Sequence, residues 1–285
     1  MILAIASGKG GTGKTTVAVN LAASAPMPVR LLDCDVEEPN AHLFIRPKDV
    51  RSRPESVFVP LVDSSRCTLC GACEAICRFS ALVRIGNRLL TFPEMCHACL
   101  GCLRICPEKA ISEGERVLGE VHTAQWGLHE LIWGEMRIGE AMSPPLIEAV
   151  RRTALADRPL ILDAPPGTSC PMIAAVRECD FILLVTEPTP FGLNDLSLAV
   201  ETARSLSIPC GIVVNRAEEG NTLIRDYASR EGLSILMEIP FRRSYAEAYS
   251  RGEKLIDTDP GLRKAFEQLW KELQHRIHPH SGGAL

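Results

Sequence analysis

Gly8-Lys9-Gly10-Gly11-Thr12-Gly13-Lys14-Thr15 satisfies the pattern G-x-x-x-x-G-K-S/T between the apolar run MILAIAS and the helix-forming run TTVAVNLAASA (15–25). No other stretch constrains the fold as strongly. A buried strand must feed a glycine-rich loop, and a helix must leave it with its first backbone N–H groups unpaired. The glycines let several N–H groups turn toward one anion, Lys14 adds positive charge, and the Thr15 hydroxyl can ligate Mg²⁺. Gly8, Lys9, Gly10, Gly11, Thr12, Gly13 and Thr16 complete the candidate nucleotide-binding loop.

The rest of the chain supplies a matching framework. Buried strands are predicted at VRLLDCD (29–35), PLILDAPPG (159–167), FILLVTEP (181–188), CGIVVN (210–215) and LSILMEIP (233–240). Between them lie the helical runs PLIEAVRRTAL (145–155), CPMIAAVRECD (170–180), NDLSLAVETARSL (194–206) and NTLIRDYASREG (221–232). Continuous β-branched runs alternating with amphipathic helices predict a parallel α/β sheet covered on both faces. Asp33 and Asp35 then fall at a strand's carboxyl end, where ligands of open α/β sheets bind. With 285 residues, 46% of them hydrophobic, a sizeable core is available. The net charge of −4 provides no global basic field for nucleic acid or anionic lipid. No apolar run reaches membrane-spanning length, and MILAIA lacks the basic flank of a signal peptide, so a cytoplasmic protein is expected. HPHSGGAL (278–285) reads as a loose tail.

The cysteines break this pattern. Eight of the twelve fall between Cys67 and Cys106, whereas Cys34, Cys170, Cys179 and Cys210 stand alone. The eight form two C-x2-C-x2-C-x3-C runs: Cys67, Cys70, Cys73, Cys77, then Cys96, Cys99, Cys102, Cys106, with Pro107 after the second. Three thiolates on a tight loop can face one cubane while the fourth points to the other cluster. One cluster is therefore expected on Cys67, Cys70, Cys73 and Cys106, and a second on Cys96, Cys99, Cys102 and Cys77. Structural zinc normally uses cysteine pairs. VRIGNRLLTF (83–92) within this region reads as a hairpin around Gly86-Asn87. The expected organisation is a first part at 1–59, a small α+β insert at 60–115 and a second part at 116–285.

The cysteine segment resembles bacterial ferredoxins with two [4Fe–4S] clusters. It departs from them in placing Arg78 where a proline usually follows the fourth cysteine. The KGGTGKTT stretch resembles the deviant P-loop of the MinD, ParA, Mrp and nitrogenase iron-protein superfamily, and the two halves together resemble its members that carry an inserted ferredoxin domain. That resemblance implies a MinD-like P-loop ATPase using Mg-ATP, in which Lys9 reaches the partner's phosphates across an ATP-sandwiched dimer. It makes Asp35 the residue that positions the attacking water, places Asp33 near Mg²⁺, and makes Asp163 the Walker B carboxylate. Pro165-Pro166-Gly167 becomes the γ-phosphate sensor, Asn215 the adenine-recognising asparagine, and Pro240 and Phe241 part of the base pocket. The dimer is expected to be a homodimer or a heterodimer with a related ATPase, acting on a redox or metal-cofactor-binding partner protein.

Other residues receive plainer readings. Asn215 can also be a strand-end cap, and His97 is expected to face solvent rather than a metal. Cys170 reads as a small buried thiol near a dimer interface, or as a bridging ligand; Cys34, Cys179 and Cys210 read as core. Leu262, Phe266, Leu269, Trp270, Leu273 and Ile277 form one helical face, expected to pack on the ATPase core rather than a membrane. Three functions remain open: an ATP-gated electron-transfer protein, an assembly or carrier factor for a metal centre, and a MinD- or ParA-like spatial switch with redox-sensing clusters. Two complete cysteine runs, and no C-x-x-C outside them, favour the first.

Overall fold

The structure is a computed structural model and describes residues 1–155 and 157–278, so most of the expected tail (279–285) lies outside it. Numbered in chain order, the strands are β1 (Ile2–Ala6), β2 (Arg30–Asp33), β3 (Arg51–Val62), β4 (Leu82–Ile85), β5 (Arg88–Thr91) and β6 (Ile111–Trp126). They continue as β7 (His129–Met136), β8 (Leu160–Asp163), β9 (Phe181–Thr186), β10 (Cys210–Ala217) and β11 (Ile235–Pro240). Nine form one sheet in the order β11-β10-β9-β1-β8-β2-β7-β6-β3, and β4-β5 is the separate hairpin expected around Gly86-Asn87.

The sheet is larger and less uniform than the expected parallel one. Seven strands, β11 to β7, are parallel, whereas β6 runs antiparallel to both β7 and β3. The strands not anticipated are β3, β6 and β7. Pro54 and Pro60 disguise β3, but it is an edge strand, and a missing N–H is tolerated on an open side. In β6, Gly114 and Gly119 and alternating charges replace the apolar signature of a central strand.

The helices are α1 (Lys14–Ser24), α2 (Ala41–Ile45), α3 (Ala72–Ile76), α4 (Gly101–Ile105), α5 (Pro144–Thr153) and α6 (Cys170–Val176). After them come α7 (Pro190–Ser205), α8 (Leu223–Glu231), α9 (Arg243–Ser250), α10 (Leu255–Thr258) and α11 (Pro260–Ile277). Leu3 and Ile5 of β1 face a core built with α1, α2 and α9 to α11, while Ala4 and Ala6 face one built with α5 to α8. Strands buried on both faces need apolar side chains at successive positions, which is why the central strands were legible as continuous runs.

The face of α11 packs on this core as expected, with Phe266, Trp270 and Leu273 fully buried. Asp259 starts the helix by accepting from Gly261 N (2.8 Å) and Leu262 N (3.1 Å). The same carboxylate accepts from the Tyr245 hydroxyl (2.6 Å) and Arg242 Nη1 (2.7 Å), joining α9 to α11. Asp259→Ala should destabilise the protein by about 0.5–2 kcal/mol, the range of a lost cap. The Tyr245 hydrogen bond, helped by the Leu262 amide, holds the Asp259 carboxyl below its usual range. Its stabilisation is therefore present above the unfolded pKa of about 4 and is lost as pH falls through the lower folded value. Urea melts of the wild type and the variant should differ at pH 7 and converge in acid; a constant gap would remove this residue from the acid response.

β3 and β6 pair without interruption from Arg51↔Thr123 to Val62↔Ile111, with one register shift at Glu55/Ser56. Because Gly119 lies opposite Met136 at the end of β7, residues 111–118 and their β3 partners extend beyond the carboxyl ends of the parallel strands. The eight clustered cysteines fall between the two ends of this ribbon. They are thus carried on the edge of the sheet that also presents the residue 7–14 loop.

Candidate functional site

The loop between β1 and α1 bends sharply at Gly11 (φ 79°) and Gly13 (φ 96°). A Cβ at Gly13 would sit 2.3 Å from Asn215 Nδ2, and one at Gly8 would sit 2.1 Å from the Asp195 carbonyl oxygen. Both positions therefore exclude a side chain. Asn215 Nδ2 donates to Thr12 O (2.8 Å), and Gly167 N donates to Ser7 O (3.1 Å). The loop is thus held from β10 on one side and from the turn after β8 on the other.

A cavity of about 360 Å³ opens over this loop. Gly10, Gly11, Gly13, Lys14, Thr15 and Thr16 line its floor, and Asp35 and Pro166 one wall. Asn215, Pro240 and Phe241 also line it, so the structure gathers most of the expected nucleotide residues around one space. Lys9 does not line it; its ammonium lies 3.9 Å from Asp195 Oδ2 and its side chain is 35% exposed. Half-buried Gly8 and buried Thr12 do not line the cavity, and the Thr12 hydroxyl has no hydrogen-bond partner among the described residues.

Sequence reasoning missed Glu38, Asn40, Arg216, Arg242, Tyr245 and Tyr249, which complete the wall. Tyr245 and Tyr249 are four apart, a spacing that places two helical side chains on one face. That was the available signal.

Asp33 and Asp163 are neighbours across the β2–β8 pair, and both are fully buried. Asp33 accepts from the backbone N–H groups of Ala41 and Asn40 (both 2.9 Å) and Asp35 (3.1 Å). Burial raises the pKa of both carboxyls, and Asp33 adds to the rise at Asp163; the three backbone N–H groups and then Lys14 oppose it at Asp33, and Lys14 opposes it at Asp163. Among the described residues, neither oxygen of Asp163 has a hydrogen-bond partner, although the adjacent Thr15 side chain offsets part of the burial without completing a bond. A buried carboxylate with open lone pairs beside a hydroxyl fits the oxygen-donor preference of Mg²⁺. The Asp35 carboxyl is pushed up to about 6, chiefly by burial and then by Asp33.

The two cysteine runs fold alike. Leu69 and Gly71 flank Cys70 with positive φ (56° and 83°), and Ala98 and Leu100 flank Cys99 in the same way (54° and 61°). Ala81 N lies 3.3 Å from Cys77 Sγ, and Ala110 N lies 3.3 Å from Cys106 Sγ. Each feature recurs 29 residues later, as do the cysteines themselves. Non-glycine residues in the left-handed region cost about 1–3 kcal/mol each, and such strain concentrates at functional sites.

Cys67, Cys70 and Cys73 of the first run line one cavity with Cys106 of the second. Cys77 and Cys96 share a small core with Phe58, Val59 and Ala81. Cys99 and Cys77 are electrostatic neighbours of Cys96, and Cys96 and Cys99 are neighbours of Cys102. Among the described residues, no three His, Cys, Asp or Glu side chains converge on a point suited to a single metal ion. Four thiols spread around a cavity fit a larger, cuboidal group.

The remaining positions divide. His97 is exposed and stacks on Phe79 with ring centroids 3.4 Å apart, and Arg78 is also exposed. Cys34 and Cys179 are buried, and Cys210 packs beside the same core. Cys170, expected as a small buried thiol near a dimer interface or as a bridging ligand, is exposed on the single subunit at the start of α6.

Residues 3–256 match the CobQ/CobB/MinD/ParA nucleotide binding domain family. An uncharacterised protein of Methanocaldococcus jannaschii is 31% identical over 282 residues, spanning 97% of this chain and 98% of that protein. The iron-sulfur cluster carrier protein of Aquifex aeolicus is 25% identical over 300 residues, spanning 97% of this chain and 68% of that one. Among solved structures, the septum site-determining protein MinD complexed with Mg-ADP from Pyrococcus horikoshii is 19% identical. It spans 95% of both chains with a TM-score of 0.60, which shows the common fold. The family match spans most of the chain, and the chain belongs to the CobQ/CobB/MinD/ParA family of nucleotide-binding domains.

Proposed function

We propose that this protein is a dimeric Mg-ATPase whose nucleotide state gates electron transfer through two [4Fe–4S] clusters, held in an inserted ferredoxin-like domain at about residues 60–115. One observation carries the reading: Cys67, Cys70, Cys73 and Cys106, drawn from two different runs, enclose one cavity. The 29-residue repeat supports a second, equivalent site on Cys96, Cys99, Cys102 and Cys77. When bound, the clusters supply one-electron chemistry at low potential.

The chain's own residues account for the nucleotide half. The loop amides and Lys14 bind the phosphates, and Thr15, Asp33 and Asp163 hold Mg²⁺ directly or from close by. Asp35 borders the cavity, where its carboxylate orients the attacking water and accepts its proton as the bond from the γ-phosphorus to the bridging oxygen breaks. Lys9, turned away from its own cavity, serves the phosphates of the partner subunit. Asn215 spends its amide N–H on Thr12 and keeps its oxygen for the adenine amino group, with Pro240 and Phe241 beside the base. A cytoplasmic setting keeps the thiols reduced. Exposed Ile76, Phe79, Met95 and Ile105 near the cysteines suit contact with a redox partner.

A second reading, an iron–sulfur carrier, is favoured by the name of the Aquifex relative and by the exposure of Cys70 and Cys99. Gating requires that ATP and the electron each alter affinity for the other by the same factor. ATP affinity should therefore differ between oxidised and reduced protein, and cluster potentials should shift when ATP is trapped. Absence of both changes, with rapid release of iron to an acceptor apoprotein, would replace gating by carriage.

A further inference from the structure

Arg116 on β6 and Glu140 in the turn before α5 form an ion pair in which the two side chains are only 6% and 0% exposed. The second Glu140 oxygen accepts from Ala141 N (3.1 Å) and Met142 N (3.2 Å), so the carboxylate is fixed from both sides. The other arm of the guanidinium donates to Cys96 O (3.2 Å). An apolar pair of similar volume is often as stable as a buried ion pair, so the consequences of this one lie in geometry and electric field.

The pair also ends a short hydrogen-bonded route from the nucleotide side. Val36, next to Asp35, accepts from Met136 N (2.8 Å); Arg137 N donates to Leu118 O (2.8 Å), and Glu140 N to Arg137 O (3.0 Å).

We propose that Arg116 is a positioning residue for the second cysteine site: anchored by Glu140, it holds the Cys96 segment and raises the reduction potential of the cluster on Cys77, Cys96, Cys99 and Cys102. Reduction adds one negative charge to that cluster, and a fixed guanidinium stabilises the reduced form more than the oxidised one. Among the described residues, no hydrogen bond or ion pair joins this pair to Cys67, Cys70, Cys73 or Cys106, so its main effect falls on the second site. The proposal rests on the cluster assignment above.

Two full-length variants test it. Arg116→Lys retains the charge but loses the two-armed contact, and Arg116→Met/Glu140→Met removes both charges without leaving a buried ion unpaired. In an anaerobic redox titration followed by electron paramagnetic resonance, the double variant should lower one of two midpoints and leave the other in place. Arg116→Lys should move the same midpoint less. Hydrogen exchange at residues 96–100 should quicken about fivefold in both, the equivalent of one lost hydrogen bond. Midpoints that stay put or move together, or exchange rates equal to the parent's, overturn the proposal. Iron analysis of the parent separates the two claims: a parent without iron defeats the cluster assignment, and hydrogen exchange then still decides whether Arg116 holds the segment.

Discussion

Cys77→Ala should halve the iron of the anaerobically prepared protein, from about eight to about four per chain, with the loss confined to the cluster on Cys96, Cys99 and Cys102. Cys77 lies in the first run, so local reasoning would assign the damage to Cys67, Cys70 and Cys73. The crossed ligation expected from the cysteine spacing and the tertiary structure both argue otherwise. Cys77 shares its small core with Cys96 across Phe58 and Val59, whereas Cys106 closes the cavity of the first three cysteines. Cys106→Ala should accordingly give the complementary loss. Iron and sulfide analysis with Mössbauer spectra of both variants would distinguish the patterns. Damage to its own run in each variant would show that each run holds its own cluster. Two zinc ions per chain and no visible absorption would remove the iron–sulfur reading altogether.

Lys14→Ala should weaken ATP binding by at least about 100-fold, since charge-assisted hydrogen bonds contribute about 1.5–3 kcal/mol each and the phosphates lose more than one. Lys14 is 6% exposed, so water cannot replace its charge freely. Lys9→Ala should behave differently: binding is largely kept, while dimerisation and hydrolysis are lost. The Lys9 side chain lies outside its own cavity, against Asp195, free to be exchanged for a partner's phosphate. Asp35→Ala should bind and dimerise but hydrolyse slowly. Isothermal titration, light scattering and phosphate release measured together would check the three. Equal loss of affinity in Lys9→Ala and Lys14→Ala would place both lysines in the same subunit's site.

Much of this was legible in the sequence because the relevant chemistry is local. A phosphate loop needs its glycines, lysine and threonine at fixed spacing within one turn of chain, and a cluster loop needs its first three cysteines three apart. The central strands were equally plain, since burial on two faces demands unbroken apolar runs such as ILAIA and FILLVT. By contrast β3, with Pro54 and Pro60, and the charged β6 lack that signature because one is an edge and part of both projects beyond the sheet. The exposure of Cys170 on the single subunit was not legible for a related reason: exposure at a helix start depends on what packs there, not on its own neighbours in sequence.

By itself, then, the sequence determined the nucleotide loop, the α/β alternation and the repeat of the cysteine runs, each a property of residues within a few positions of one another. Tertiary structure alone decided that Asp33 and Asp163 lie side by side and that Arg116 reaches both Glu140 and Cys96, and it gathered Cys106 with Cys67 as the cysteine spacing predicts. These partners are 20 or more residues apart in sequence, and only the register of paired strands and the path of the β3–β6 ribbon bring them within a few ångströms.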